Sequence, residues 1–279
     1  MTVKHLLATS IATLFPLLCL AQGDIGAGTA AALPVKSSVQ ALFPWQVPSP
    51  RLAAEAYFTN LQNNARIETP FRLTFGLSNG WGLAPISVPV GGKSGHHHLL
   101  VNRDLPLDFK KSLPFDDQYI HFGKGQMETV LTLEPGTYTL RLLLADDKHL
   151  PHFVYSKPLQ VTVTRKNASS DPAAPGVKAI SLPNLAGDAR VKRPFSVQFH
   201  ASGLNVAHLS QKQKDTGHFR LTVSPQGSGK PVEIKFAQGQ TEVWLAPPAG
   251  AYLLRLDFMD NASTGKTLAS AVSAAVNVE

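Results

Sequence analysis

The sequence predicts an all-β protein of two tandem immunoglobulin-like, antiparallel β-sandwich domains, and three observations carry that reading. Short segments alternate polar and apolar residues at strand period, among them RIETPFRLTFGLS, ETVLTLEPGTYTLRLLLAD and PLQVTVT, and turn formers separate them. The composition agrees, with 21 Gly and 21 Pro in 279 residues and only 16% charged side chains, a balance that favours a loop-punctuated β protein over a helical bundle or a disordered chain. Finally, the strand pattern of the first half recurs in the second half in the same order.

From the N-terminus, residues 1–21 read as a secretory signal peptide. Lys4 and His5 precede an apolar run from Leu6 to Leu20, and Cys19-Leu20-Ala21 places small residues three and one positions before a cut at Gln22. The run is interrupted by Thr, Ser and Pro16, so no transmembrane segment is expected after cleavage. Residues 22–51, rich in Ala, Gly and Pro, read as a flexible leader in which Phe43 and Trp45 are candidates for docking. Residues 52–165 form the first expected sandwich, 166–176 a linker (NASSDPAAPG lies within it), and 177–279 the second sandwich. EPGTY between two alternating runs marks a turn joining neighbouring antiparallel strands.

Aligning the halves sorts residues by role. Phe75 matches Phe199, SGHHHLLV matches TGHFRLTV, IHFGKGQMET matches IKFAQGQTEV, and PGTYTLRLLLAD matches AGAYLLRLDFMD. His97, His98 and His121 thereby become Phe219, Arg220 and Lys235, whereas His96 persists as His218, which favours a place in the shared scaffold; His96 is kept as ligand or scaffold. Gly125, Gln126 and Glu128 recur as Gly239, Gln240 and Glu242, which suggests turn geometry and a strand-edge hydrogen bond.

Six of the ten histidines fall between Lys93 and His152, at His96, His97, His98, His121, His149 and His152. Imidazole is costly to bury unsatisfied and is the commonest neutral metal ligand, so these six are the candidate ligands of a metal site in the first domain. Strand alternation points His96 and His98 one way and His97 the other, and sets His121 opposite to Ile120 and Phe122. Asp146 and Asp147 are candidate oxygen ligands or acceptors that orient an imidazole, and Glu128 joins them as a candidate acceptor outside the ligand set. With the only cysteine, Cys19, inside the signal, the mature chain offers nitrogen and oxygen donors alone. That donor set favours copper or zinc, with nickel also compatible, and excludes thiolate-ligated zinc, iron–sulfur and blue-copper sites.

Other function classes find little support. There is no GxSxG, HExxH or phosphate-cradling loop, and GGKSG leads into a strand and not a helix. An enzyme is therefore not expected. The basic residues behind the net charge of +7 are scattered, so no nucleic-acid partner is expected. Two binding readings remain open: an exported protein that coordinates a transition-metal ion, or a non-catalytic module with structural histidines that contacts an envelope protein or glycan.

On the blocks GHHHLLV, IHFGKGQMET, LEPGTYTLRLLLAD and HLPH the chain resembles the DUF4399 family, bacterial secreted domains of unknown function. The resemblance covers about Ala56 to Val163 well and the second copy weakly. It implies a periplasmic location and a β domain, and brings no activity with it. The chain departs from the family pattern at Asp147, where a histidine is usual, and at Met127, where threonine is usual.

Overall fold

Alternation shapes the strand Phe71–Leu77, where Leu73, Phe75 and Leu77 are buried and Arg72 is exposed, as a half-buried strand requires. Its counterpart in the second half is Phe195–Gln198, with Phe195 and Val197 inside. The computed structural model describes residues 43–87, 90–106, 108–168 and 177–279, and the regular elements among them are all strands. The expected signal peptide, the leader up to residue 42 and residues 169–176 of the expected linker lie outside the described residues.

Each half builds the same large sheet. In the first, the order is Ala65–Thr69, Leu159–Lys166, Gly136–Ala145, Ser94–Val101, Gly82–Leu83, with Pro151–Tyr155 and Tyr119–Phe122 paired at the side. In the second it is Asp188–Val191, Val272–Val278, Gly250–Asp260, Thr216–Pro225, Asn205–Val206, with Val232–Lys235 beside Thr216–Pro225. Smaller strands face these sheets: Ala56–Phe58, Phe71–Leu77 and Glu128–Leu131 in the first half, Phe195–Gln198 and Glu242–Leu245 in the second. The antiparallel expectation needs refinement: the short edge strands Gly82–Leu83 and Asn205–Val206 pair parallel with Ser94–Val101 and Thr216–Pro225, and Ala65–Thr69 pairs parallel with Leu159–Lys166 as Asp188–Val191 does with Val272–Val278. The latter partners come from opposite ends of each repeat, so no tight hairpin forces them antiparallel.

The two sandwiches share one continuous apolar core, and the described residues fall in a single compact unit. Reciprocal bonds join them. The Val206 amide donates to the Gly125 carbonyl and the Leu83 amide to the Gly239 carbonyl, both at 2.9 Å. Both glycines have positive φ, and a Cβ would stand 2.2 Å from the Val206 oxygen at Gly125 and 2.5 Å from the Leu83 oxygen at Gly239. The shared glycines are thus required by turn conformation and by the close approach of the other repeat.

The leader, expected to run unstructured to residue 51, acquires structure earlier. Gln46–Val47 adds an edge strand to Glu242–Leu245 of the second repeat, the Trp45 ring meets Tyr252 edge-on at 5.7 Å, and Arg51 pairs with Glu242 at 2.5 Å. Adding a strand satisfies backbone groups that the sheet edge would otherwise expose.

Candidate metal centre

The strand Ser94–Val101 lies between Gly136–Ala145 and Tyr119–Phe122 and is buried along its whole length. Both of its faces are covered, which is why its sequence reads as a continuous run. His97, Leu99 and Val101 turn toward the sandwich core. His96, His98 and Leu100 turn to the outer face, where Leu113, Leu143 and Ala145 form a second, smaller apolar cluster with Leu100. The register sets His98 directly opposite His121, so the two rings share the outer face.

A loop supplies the fourth ring. After Gly136–Ala145 the chain turns through Asp146, whose Oδ1 accepts hydrogen bonds from the Lys148 and Leu150 amides at 2.9 and 2.8 Å. The His149 amide donates to the Asp146 carbonyl at 2.9 Å and the Leu113 amide to the His149 carbonyl at 2.9 Å. His149 sits at φ 62°, a left-handed conformation uncommon for a side chain of its size and held by these bonds. The ring of Phe115, itself exposed, packs on His149 at 4.5 Å and on His121 at 5.2 Å.

His96, His98, His121 and His149 converge: each offers a ring nitrogen, and these nitrogens all lie within 4.8 Å of one another. The Nε2 atoms of His121 and His149 are 3.3 Å apart, which matches the edge of about 3.3 Å implied by a tetrahedral zinc with bonds of 2.0–2.1 Å. Neither nitrogen of His96 or His98 has a hydrogen-bond partner although both residues are buried. Buried nitrogens left in that state cost about 1–3 kcal/mol each, and an ion at the common point would engage one from each ring. The His121 ring also depends on Gly123, where a Cβ would come 2.3 Å from Cε1 and 2.6 Å from Nε2.

Burial, reinforced by the facing imidazoles of His98, His121 and His149, pushes His96 down to about 2. Burial with His121 and His149 nearby takes His98 to about 3, and burial with His149 lowers His121. His96 and His98 are therefore unprotonated near neutrality, the form that binds metal.

The other candidates lie elsewhere. His97 faces the core, edge-on to Phe75 at 4.8 Å, in the place Phe219 takes in the second repeat; burial holds it at about 3. His152 packs on Trp81 at 4.8 Å, outside the cluster, because the loop turn between His149 and His152 separates their rings. Asp146 is occupied with loop amides, and Asp147 lines a small crevice with Pro85, Ser94 and Gly95. Glu128 belongs to the junction between repeats: it accepts from Arg72 at 2.7 Å, Ser202 Oγ at 2.8 Å and the Gly203 amide at 3.2 Å, and meets His200 at 3.2 Å. It lies in the small sheet, on the strand paired with Phe71–Leu77, and is not among the converging groups. His96, whose persistence as His218 favoured a scaffold role, stands inside the cluster. Two contributors, Gly123 and Phe115, were not singled out from sequence; Gly123 had a signal, because it becomes Ala237 where His121 becomes Lys235.

The pattern of a family described as a domain of unknown function, DUF4399, matches residues 73–164 and again 197–279. The chain belongs to the DUF4399 family. The two matches coincide with the two sandwiches, so this DUF4399 protein carries the domain twice. No curated protein matches the chain. Among solved structures it is similar to the fibronectin(III)-like modules of Clostridium thermocellum CbhA, at 11% identity over 80% of this chain and 94% of that one with a TM-score of 0.25. It is similar also to a two-domain fibronectin type-III segment of chicken tenascin, at 12% identity over 80% and 97% with a TM-score of 0.21. At those scores neither likeness bears on function.

Proposed function

We propose that this DUF4399 protein is an exported, periplasmic binding protein that holds one transition-metal ion, copper or zinc, between His96, His98, His121 and His149. The observation that carries the reading is the meeting of four imidazoles from three separate stretches of chain, two of them buried with no other partner for their nitrogens. An all-imidazole set suits both ions, and zinc favours the tetrahedral arrangement that the 3.3 Å edge matches. The signal-like residues 1–21 support export, and no helix among the described residues is long and apolar enough to cross a membrane.

The test uses the full chain without a histidine tag, stripped of metal and titrated with Zn(II) or Cu(II) under equilibrium dialysis. One tightly held ion per chain is expected. Equal uptake by a His98→Ala/His121→Ala double variant would remove the proposal.

A further inference from the structure

His121 has a second neighbourhood. Besides facing the other three rings, it lines a groove of about 860 Å³ between the two repeats, together with Lys124 from its own repeat and Lys214 from the other. That volume is of the size that small-molecule sites have, far more than one ion or water requires. Ser87, Gln126, Asn205 and Gln213 contribute hydrogen-bonding groups to the rest of the wall, between stretches of carbon surface that include Ile86. The groove is braced by the Gly125–Val206 backbone bond and by Gln213, whose Nε2 donates across to Ser87 Oγ at 2.6 Å.

Charge decides what would enter. Lys124 and Lys214 form no ion pair among the described residues, and the one carboxylate on the wall, Asp215, is engaged by Lys178 at 2.6 Å. Four neutral imidazoles leave the charge of a divalent ion uncompensated, and the nearby Asp146 is committed to its own loop amides. A groove with those two unpaired lysines and several hydrogen-bonding side chains, ending at the half-buried edge of such a centre, favours an anion with several oxygen donors.

We propose that the groove between the repeats binds a small polycarboxylate or comparable oxyanion, held by Lys124 and Lys214 and in electrostatic contact, from outside the four-ring shell, with the metal ion beside His121. The contact with the ion rests on the metal-binding reading; the lysine contacts do not.

Calorimetric titration of citrate into the metal-free full chain tests the lysines. Saturable binding is expected, weakened about tenfold or more in a Lys124→Gln/Lys214→Gln double variant, whose altered side chains are exposed and leave the fold intact. No binding, or equal binding by the double variant, overturns the proposal. Succinate, a weak chelator, titrated into zinc-loaded and metal-free protein tests the reach to the ion: tighter binding with zinc is expected, and equal binding overturns that contact. A His98→Ala variant should lose the zinc-dependent gain while keeping its affinity for citrate. If the wild-type chain takes up no zinc yet citrate binding still depends on the lysines, the metal reading fails and the anion groove stands.

Discussion

The two repeats place different chemistry on the same strand positions. In the first, His98 lies opposite His121 on one side and Leu143 on the other; in the second, Arg220 lies opposite Lys235 and Asp257. Where the first repeat gathers imidazoles, the second runs an ion-pair row: Arg220 bonds Asp257 at 3.1 Å and meets Glu233 at 3.6 Å, and Arg255 bonds Asp257 at 3.1 Å. His96 and His218 occupy the same place, yet His218 is satisfied by Asn261 at 2.6 Å while the His96 nitrogens face only other imidazoles. The backbone is common to both. The centre arises from two exchanged side chains, His98 and His121, one glycine that spares room for a ring, and one loop.

That contrast can be broken most severely by removing a ligand. His98→Ala should weaken zinc binding by more than about 100-fold, the upper end of what losing a merely supporting group costs. His218→Ala should leave zinc binding as it was, and competition with a chromogenic chelator compares the two.

Acid should next distinguish the repeats through stability. Burial holds His96 at about 2 and His97 and His98 at about 3 in the folded chain, against the ordinary 6.5. Below 6.5 the unfolded chain takes up protons that the folded chain refuses, so stability present above that value is lost as the pH falls toward 3. Each such histidine removes about 1.4 kcal/mol per pH unit across that window. In the second repeat Phe219 and Arg220 contribute no such loss, although burial lowers His218 as well. Urea unfolding of metal-free protein at pH 7.5, 6.5 and 5.5 measures the slope, which His97→Phe should reduce by one proton.

Gly123→Ala sharpens the comparison further. The added methyl group displaces the His121 ring while the backbone tolerates it, as Ala237 shows at the matching place. Zinc affinity should fall about 10- to 100-fold with the unfolding midpoint unchanged. Ala237→Gly should do nothing to zinc. The smallest effect on the centre is expected from His97→Phe at neutral pH, which installs the second repeat's core residue: stability should hold or rise, because neither buried His97 nitrogen has a hydrogen-bond partner to lose, and zinc affinity should not move.

Much of this was legible in the residues. Strand alternation assigns His96 and His98 to one face and His97 to the other, and Ile120 and Phe122 turn inward as their apolar character requires, leaving His121 outside. The duplication shows which histidines the second copy dispenses with. Alternation says nothing of loops, so His149 and His152 looked equivalent; the left-handed turn at His149 and the Asp146 bonds separate them. Pairing between Gln46–Val47 and Glu242–Leu245, almost two hundred residues apart, has no local signature. The role of Glu128 was equally hidden, because its partners His200 and Ser202 come from the other repeat.

The central claim is that four rings share one ion, and X-ray absorption at the zinc edge of the loaded, tag-free protein examines it most directly. A first shell of four nitrogens at about 2.0 Å, with the outer scattering of imidazole rings and loss of one ring in His98→Ala, is the expected spectrum. A shell made mainly of oxygen, or one that His98→Ala leaves unchanged, would contradict it.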